Sequence, residues 1–164
     1  RELASSMCGT GIKHPAFITG YLQYSVNVRR LEGVRMGFLD NRIRLDPLMI
    51  FGDVIDHVTC RKAVATAIQR GADAIICGDD ALSVWCYESI IRNGKSVPKD
   101  IILASCFDSN DLVHHAPSIT AINVNAVDMG EKAGEIMMRL LSNESAPQMY
   151  RIEHSIRLRE STRR

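Results

Sequence analysis

"GADAIICGDDALSVWCYESIIRNG" (71–94) holds three signals in one stretch. The apolar run through Ala74-Ile75-Ile76-Cys77 reads as a buried strand over 72–80. Two acids, Asp79 and Asp80, follow it at once. Apolar residues at helical spacing then continue to Gly94, so 80–94 reads as a helix ending in glycine. Strand, acid, helix is the unit that decides the fold.

The unit recurs outward in both directions. "HPAFITG" (14–20), "PLMIFGD" (47–53) and "IILASCFD" (101–108) read as further strands. "VRRLEGVRMGFLDN" (28–41), "HVTCRKAVATAIQRG" (57–71) and "AVDMGEKAGEIMMRLLSN" (126–143) read as helices. "MYRIEHSIRLRE" (149–160) reads as a last extended piece, and 107–125 as one long connection. Strands alternating with helices predict an α/β fold, a parallel sheet with helices on both faces.

Composition narrows the function. The 164 residues are 46% hydrophobic and 24% charged, as in one globular domain. A net charge of +1 gives no field of one sign for nucleic acid or membrane. No apolar run approaches the ~20 residues of a membrane span. The five cysteines show no C-x-x-C spacing. They read as reduced core residues, which points to the cytoplasm. The chain opens on "RELASSMCG" without methionine, as a fragment would.

Strands here end on acids: Asp53, Asp79 with Asp80, and Asp108. In an open parallel sheet, ligands bind beyond the carboxyl ends of the strands. Strand ends also meet water, and Asp80 is placed to cap the helix that follows. Clustered acids could bind Mg²⁺, so a phosphotransfer enzyme using Asp53, Asp79 and Asp108 is one reading. It lacks support: there is no phosphate-binding glycine loop, no G-x-S-x-G and no nucleophile with a base. No catalytic residue, metal ligand or cofactor site is expected. Carboxylates also accept hydrogen bonds from hydroxyls, and arginine donates in a fixed fork. Arg30 follows the polar loop "GYLQYSVN" on the same edge. That set suits a sugar or nucleoside.

The 80–93 helix carries two apolar stripes. Val84, Tyr87 and Ile91 share one face. Leu82, Trp85, Cys86 and Ser89 share nearly the opposite one. If the first covers the sheet, the second needs another partner. It holds the chain's only Trp, and Trp at a surface often marks an interface.

From Gly71 onward the order of motifs resembles the effector-binding domain of LacI/GalR-family transcription repressors. The run is strand, Asp79-Asp80, helix, Gly94, Val97-Pro98, Asp100-Ile101, strand, Phe107-Asp108. "PSITAINVNAVDMGEKA" (117–133) and the ending "RLREST" (157–162) continue the likeness, and "RRLEGVRMGF" offers Arg30 and Gly33. The resemblance implies a periplasmic-binding-protein-like (type I) fold of two subdomains closing on a small effector. Residues 1–124 and 154–164 would form most of the C-terminal subdomain. Residues 125–153 would belong to the N-terminal one. DNA-binding helices would precede this chain and contact operator DNA.

By the same resemblance, effector contacts fall on Arg30, Asp79 and Asp108, with Val54 and Val124 at further cleft positions. The family usually has Asn where Asp79 stands, so the cleft is more acidic. Val54 stands where several members carry an aromatic residue, Val124 where some have Gln, and Cys106 where glycine is usual. Dimer contacts are expected at Leu82, Trp85, Cys86 and Ser89, and in the loop "VHHAPS" (113–118) at His115 and Pro117. The implied protein is a cytoplasmic, homodimeric sensor of a sugar-like or nucleoside-like molecule, with no cofactor and no membrane contact. The alternative is a periplasmic sugar-binding protein serving a transporter.

Overall fold

A computed structural model describes residues 1–164. One six-stranded sheet organises the chain, in the order β2-β1-β3-β4-β5-β6. The strands are β1 (Pro15–Ile18), β2 (Ile50–Phe51), β3 (Ala74–Cys77), β4 (Ile102–Ser105), β5 (Thr120–Asn123) and β6 (Ser155–Arg157). β1 to β5 run parallel, and β6 closes the edge antiparallel to β5. β1, β3 and β4 are buried throughout, as continuous apolar runs in a sheet covered on both faces must be.

The helices are α1 (Glu2–Met7), α2 (Ser25–Asp40), α3 (His57–Gln69), α4 (Asp80–Arg92), α5 (Asn110–His114) and α6 (Ala126–Leu141). The chain leaves β1 toward β2 through α2, then returns past β1 to β3 through α3. Right-handed crossovers in opposite directions put α2 on one face and α3 and α4 on the other. The strand order therefore reverses between β1 and β3. Ligands settle at such a switch point, because the loops diverge to opposite faces and leave a crevice.

Several expectations shift. The reading of 107–125 as a long connection misses α5 and β5. α1 was not anticipated; it buries Leu3, Ala4 and Met7 against α2. Gly37 permits that packing, since a Cβ there would stand 2.2 Å from the Arg1 carbonyl oxygen. The 47–53 strand shrinks to two residues, because Asp46 caps a 3-10 turn over Pro47–Met49.

α6 is unlike the other helices. It buries no residue. Val127, Met137, Met138, Leu140 and Leu141 are all exposed. Its connection to the sheet is local: the Asn125 side-chain amide donates to the Glu153 carbonyl at 2.7 Å. No helix is long and apolar enough to cross a membrane.

Candidate functional site

Four main-chain bonds build the carboxyl edge of the sheet. Thr19 N donates to Phe51 O (2.9 Å) and Val54 N to Thr19 O (3.2 Å), which carries the β1–β2 pairing past the strand ends. Gly78 N donates to Ile18 O (2.8 Å) and Cys106 N to Cys77 O (2.9 Å), which does the same for β3 and β4. Gly78 is required here: a Cβ would lie 2.3 Å from Thr19 Oγ1.

Above this edge, at the switch point, lies a depression of about 460 Å³. Its walls include Tyr21, Tyr24 and Asn27 from the β1–α2 side, Val54 from the β2 loop, and Asp79 and Trp85 from the α4 side. Tyr21 and Tyr24 stack edge to face at 5.7 Å. Asn27 is buried and donates to the Tyr21 carbonyl at 2.9 Å, which fixes the loop. Val54 is buried and forms part of the floor.

Asp79, not Asp80, caps α4. Its backbone is extended, and its Oδ1 accepts from Leu82 N at 2.9 Å. The helix therefore begins one residue earlier than a cap at Asp80 requires. Asp80 occupies the first turn, where its charge suits the positive helix end.

Arg30 is half-buried on α2 and takes part in none of the chain's ion pairs. Its charge and that of Asp79 both reach Cys106, just past β4. Burial pushes the Cys106 thiol up to about 12; Arg30 opposes the rise, while Cys77 and Asp79 add to it. Asp79 lines the depression, while Arg30 is not among the residues on its walls.

Asp108 does not join them freely. Both its carboxylate oxygens are held by Arg159, at 2.7 Å each. Val124 lies one residue beyond β5, half-buried on the same edge but away from the depression. No three carboxylates, histidines or cysteines are grouped to share a metal ion.

Three buried hydroxyls have no hydrogen-bond partner: Thr19, Ser109 and Ser155. All three stand on this edge. Thr19 follows β1, Ser109 follows Asp108, and Ser155 pairs with Asn123 at the end of β5. A buried hydroxyl left unpaired costs about 1–3 kcal/mol. All three oxygens are sealed from the surface, so the cost falls on the edge of the sheet itself.

The second apolar stripe of α4 is turned the other way from expectation. Leu82, Cys86 and Ser89 are buried inside the chain. The Cys86 sulfur lies 3.6 Å from that of Cys60 on α3. Trp85 is half-buried against His57, ring centroids 4.5 Å apart. The side of α4 left open carries Val84, Tyr87, Glu88 and Ile91. The 113–118 loop, expected beside Leu82, Trp85, Cys86 and Ser89, lies instead beside this open side: the Tyr87 hydroxyl donates to Ala116 O at 3.1 Å, and its ring meets His115 at 4.3 Å.

The family model described as the periplasmic binding protein-like domain matches residues 5–162. The chain belongs to the periplasmic binding protein-like domain family. It is 25% identical over 157 residues to the HTH-type transcriptional regulator RegA of Clostridium saccharobutylicum, covering 93% of this chain and 47% of that protein. It is 24% identical over 162 residues to the ribose operon repressor of Haemophilus influenzae, covering 95% of this chain and 48% of that protein. The solved structure of the transcription regulator CcpA of Lactococcus lactis superposes with a TM-score of 0.90 at 23% identity, covering 99% of this chain and 60% of that one. The LacI/GalR resemblance is thereby borne out for family and fold. The chain spans about half the length of the curated relatives it matches.

Sequence reasoning missed Tyr21, Tyr24 and Asn27. All three lie in the loop and helix start that supplied Arg30, and the two tyrosines in "GYLQYSVN" were the available signal. It also missed Arg159, which no local spacing links to Asp108.

Proposed function

We propose that this chain is the ligand-sensing part of a bacterial DNA-binding transcriptional repressor. The effector is a small molecule of the sugar, nucleoside or purine type, seated over the switch point. One observation carries the reading. A depression walled by Tyr21, Tyr24, Asn27 and Asp79 lies over the switch point, and Arg30 is half-buried on the helix that supplies Asn27. An arginine fork and a carboxylate offer the mixed donors and acceptors that such a molecule needs. Aromatic rings suit the apolar face of a sugar or base. The relative named as a ribose operon repressor is consistent with a sugar.

The site is open on its upper side. Residues 125–153 contribute to a second subdomain, for which the exposed apolar face of α6 is the docking surface. An effector held between the two subdomains favours one arrangement by its differential affinity, and so changes the fraction of protein able to grip the operator. The grip itself is made by a DNA-binding segment outside these residues, as in relatives named HTH-type. The protein works in the cytoplasm, as a regulator and not an enzyme. It acts as a homodimer through the open side of α4 with His115 and Pro117.

A thermal-shift screen of the full-length protein against sugars, sugar phosphates, nucleosides and purines tests this reading. A true effector at a hundred times its Kd stabilises by about 2.7 kcal/mol, and Arg30→Ala removes the shift. A panel without a hit, or a hit indifferent to Arg30→Ala, refutes the site.

A further inference from the structure

The opposite edge of the sheet, where the strands begin, carries a second concavity. A cavity of about 580 Å³ opens between the segment ahead of β1 and the loop from α2 to β2, with Lys13, His14, Arg42, Arg44 and Asp46 on its walls. A smaller cavity of about 190 Å³ adjoins it, shares Lys13, His14, Arg44 and Asp46, and adds Arg70 from the end of α3. Cations thus arrive from three separate segments of the chain.

None of these four lysine and arginine residues is ion-paired. The acids nearby are committed elsewhere. Asp46 accepts from Leu48 N at 2.8 Å. Asp73 uses both oxygens on the main-chain N–H groups of Lys13 and His14, at 2.7 and 2.9 Å. Arg70 is braced by donating to the Leu48 carbonyl. Four cations facing two carboxylates leave a local excess of two charges, in a chain whose whole excess is one.

The plainest account is that arginines complement the negative carboxyl ends of helices. That explains Arg42 and Arg70, which directly follow α2 and α3. It leaves Lys13 and Arg44 unanswered, since Lys13 precedes β1 and Arg44 precedes the 3-10 turn at Pro47–Met49. A concave wall concentrates the field of such charges.

We propose that this edge binds a small anion carrying at least two phosphate groups, at a site separate from the effector cleft. Arginine forks and a lysine point charge match phosphate oxygens. The larger cavity has the volume of a small-molecule site, and the adjoining one offers room for a second charged group. Only two of the eight lining residues of each cavity are hydrophobic, and no Phe, Tyr or Trp is among them. The walls are dominated by charged groups, so the ligand class proposed is a phosphorylated sugar or an inorganic polyphosphate.

The test is calorimetric titration of inorganic pyrophosphate into the full-length protein at fixed ionic strength. Saturable binding is expected, at least tenfold tighter than for orthophosphate. The double variant Lys13→Gln/Arg44→Gln weakens it at least tenfold. Arg30→Gln in the cleft, and the charge-matched Arg92→Gln/Lys99→Gln, leave it within twofold. The proposal is overturned by the absence of saturable heat at millimolar pyrophosphate. It is equally overturned if the charge-matched control loses as much, or if Arg30→Gln is the variant that abolishes binding.

Discussion

Arg159 grips Asp108 with both guanidinium nitrogens at 2.7 Å, across 51 residues of sequence. Its Nη1 also donates to the Ile119 carbonyl at 2.6 Å. The residues after it are stitched in as well: Ser161 Oγ donates to Leu103 O at 2.6 Å and accepts from Thr120 N at 2.8 Å. The pair therefore ties the end of β4 to the closing segment of the chain, and sets the direction of Asp108.

Arg159→Met is expected to destabilise the protein by about 3 kcal/mol. The two side chains are only 15% and 12% exposed, and removing one partner strands a largely buried charge. The double change Asp108→Asn/Arg159→Met should recover much of that loss, because no charge is left unpaired. Urea denaturation of the four proteins of the cycle measures both. Additive losses would show that the pair does not act as a unit.

Asp79→Asn should leave stability nearly unchanged and alter ligand choice. Asn caps a helix as well as Asp, so the bond to Leu82 N survives. Its amide adds a donor where the carboxylate only accepts. Asp79→Ala should lose about 1 kcal/mol through the cap alone. A ligand profile identical in wild type and Asp79→Asn would remove Asp79 from the site.

Acid should weaken the start of α3 specifically. Hydrogen bonds from the Thr59 main chain and hydroxyl hold the Asp56 carboxyl below its usual value. A carboxyl with a lowered folded pKa stabilises above its unfolded pKa, about 3.9, and loses that contribution as pH falls through the folded value. The stability advantage of wild type over Asp56→Ala should be constant from pH 7 to about 5 and shrink toward pH 3. A pH-independent difference would mean that the capping box acts through shape and not through charge.

The strand–acid–helix unit at 71–94 was legible because Ile75-Ile76 and the glycine at 94 are local signals. Which stripe of α4 faces inward was not. An angle of 100° per residue separates Leu82, Cys86 and Ser89 from Val84, Tyr87 and Ile91, but both sets are apolar enough to pack. The choice is made by α3, whose Cys60 and Ala63 are small and let α4 approach on its cysteine side. Likewise Asp108 was read correctly as a strand-end acid, while its partner was invisible: Arg159 sits beyond α6, 51 residues away, in a segment that meets β4 only through tertiary contacts. β5 is no shorter than β1, β3 or β4, but Thr120 and Asn123 bracket only two apolar residues, so it lacks the continuous apolar run that marks the others.

The revised orientation of α4 changes where a subunit contact is to be sought. Cys86 and Ser89 are sealed inside the chain, so a charge there should unfold it. Val84, Tyr87 and Ile91 remain accessible, Ile91 45% so, and Tyr87 links the helix to the His115 loop in one continuous surface. A two-fold interface uses the same patch on both copies. A dimeric protein would thus place Ile91 against its own copy or the copy's 113–118 loop. Ile91→Glu would then bury an unpaired charge, at several kcal/mol. The expected outcome in the full-length protein is dissociation to monomers at micromolar concentration by analytical ultracentrifugation, with circular dichroism and melting of the monomer preserved. Cys86→Glu, by contrast, should abolish the cooperative melt. A dimer that survives Ile91→Glu would move the contact off this face, and a full-length wild type sedimenting as a monomer would remove it altogether.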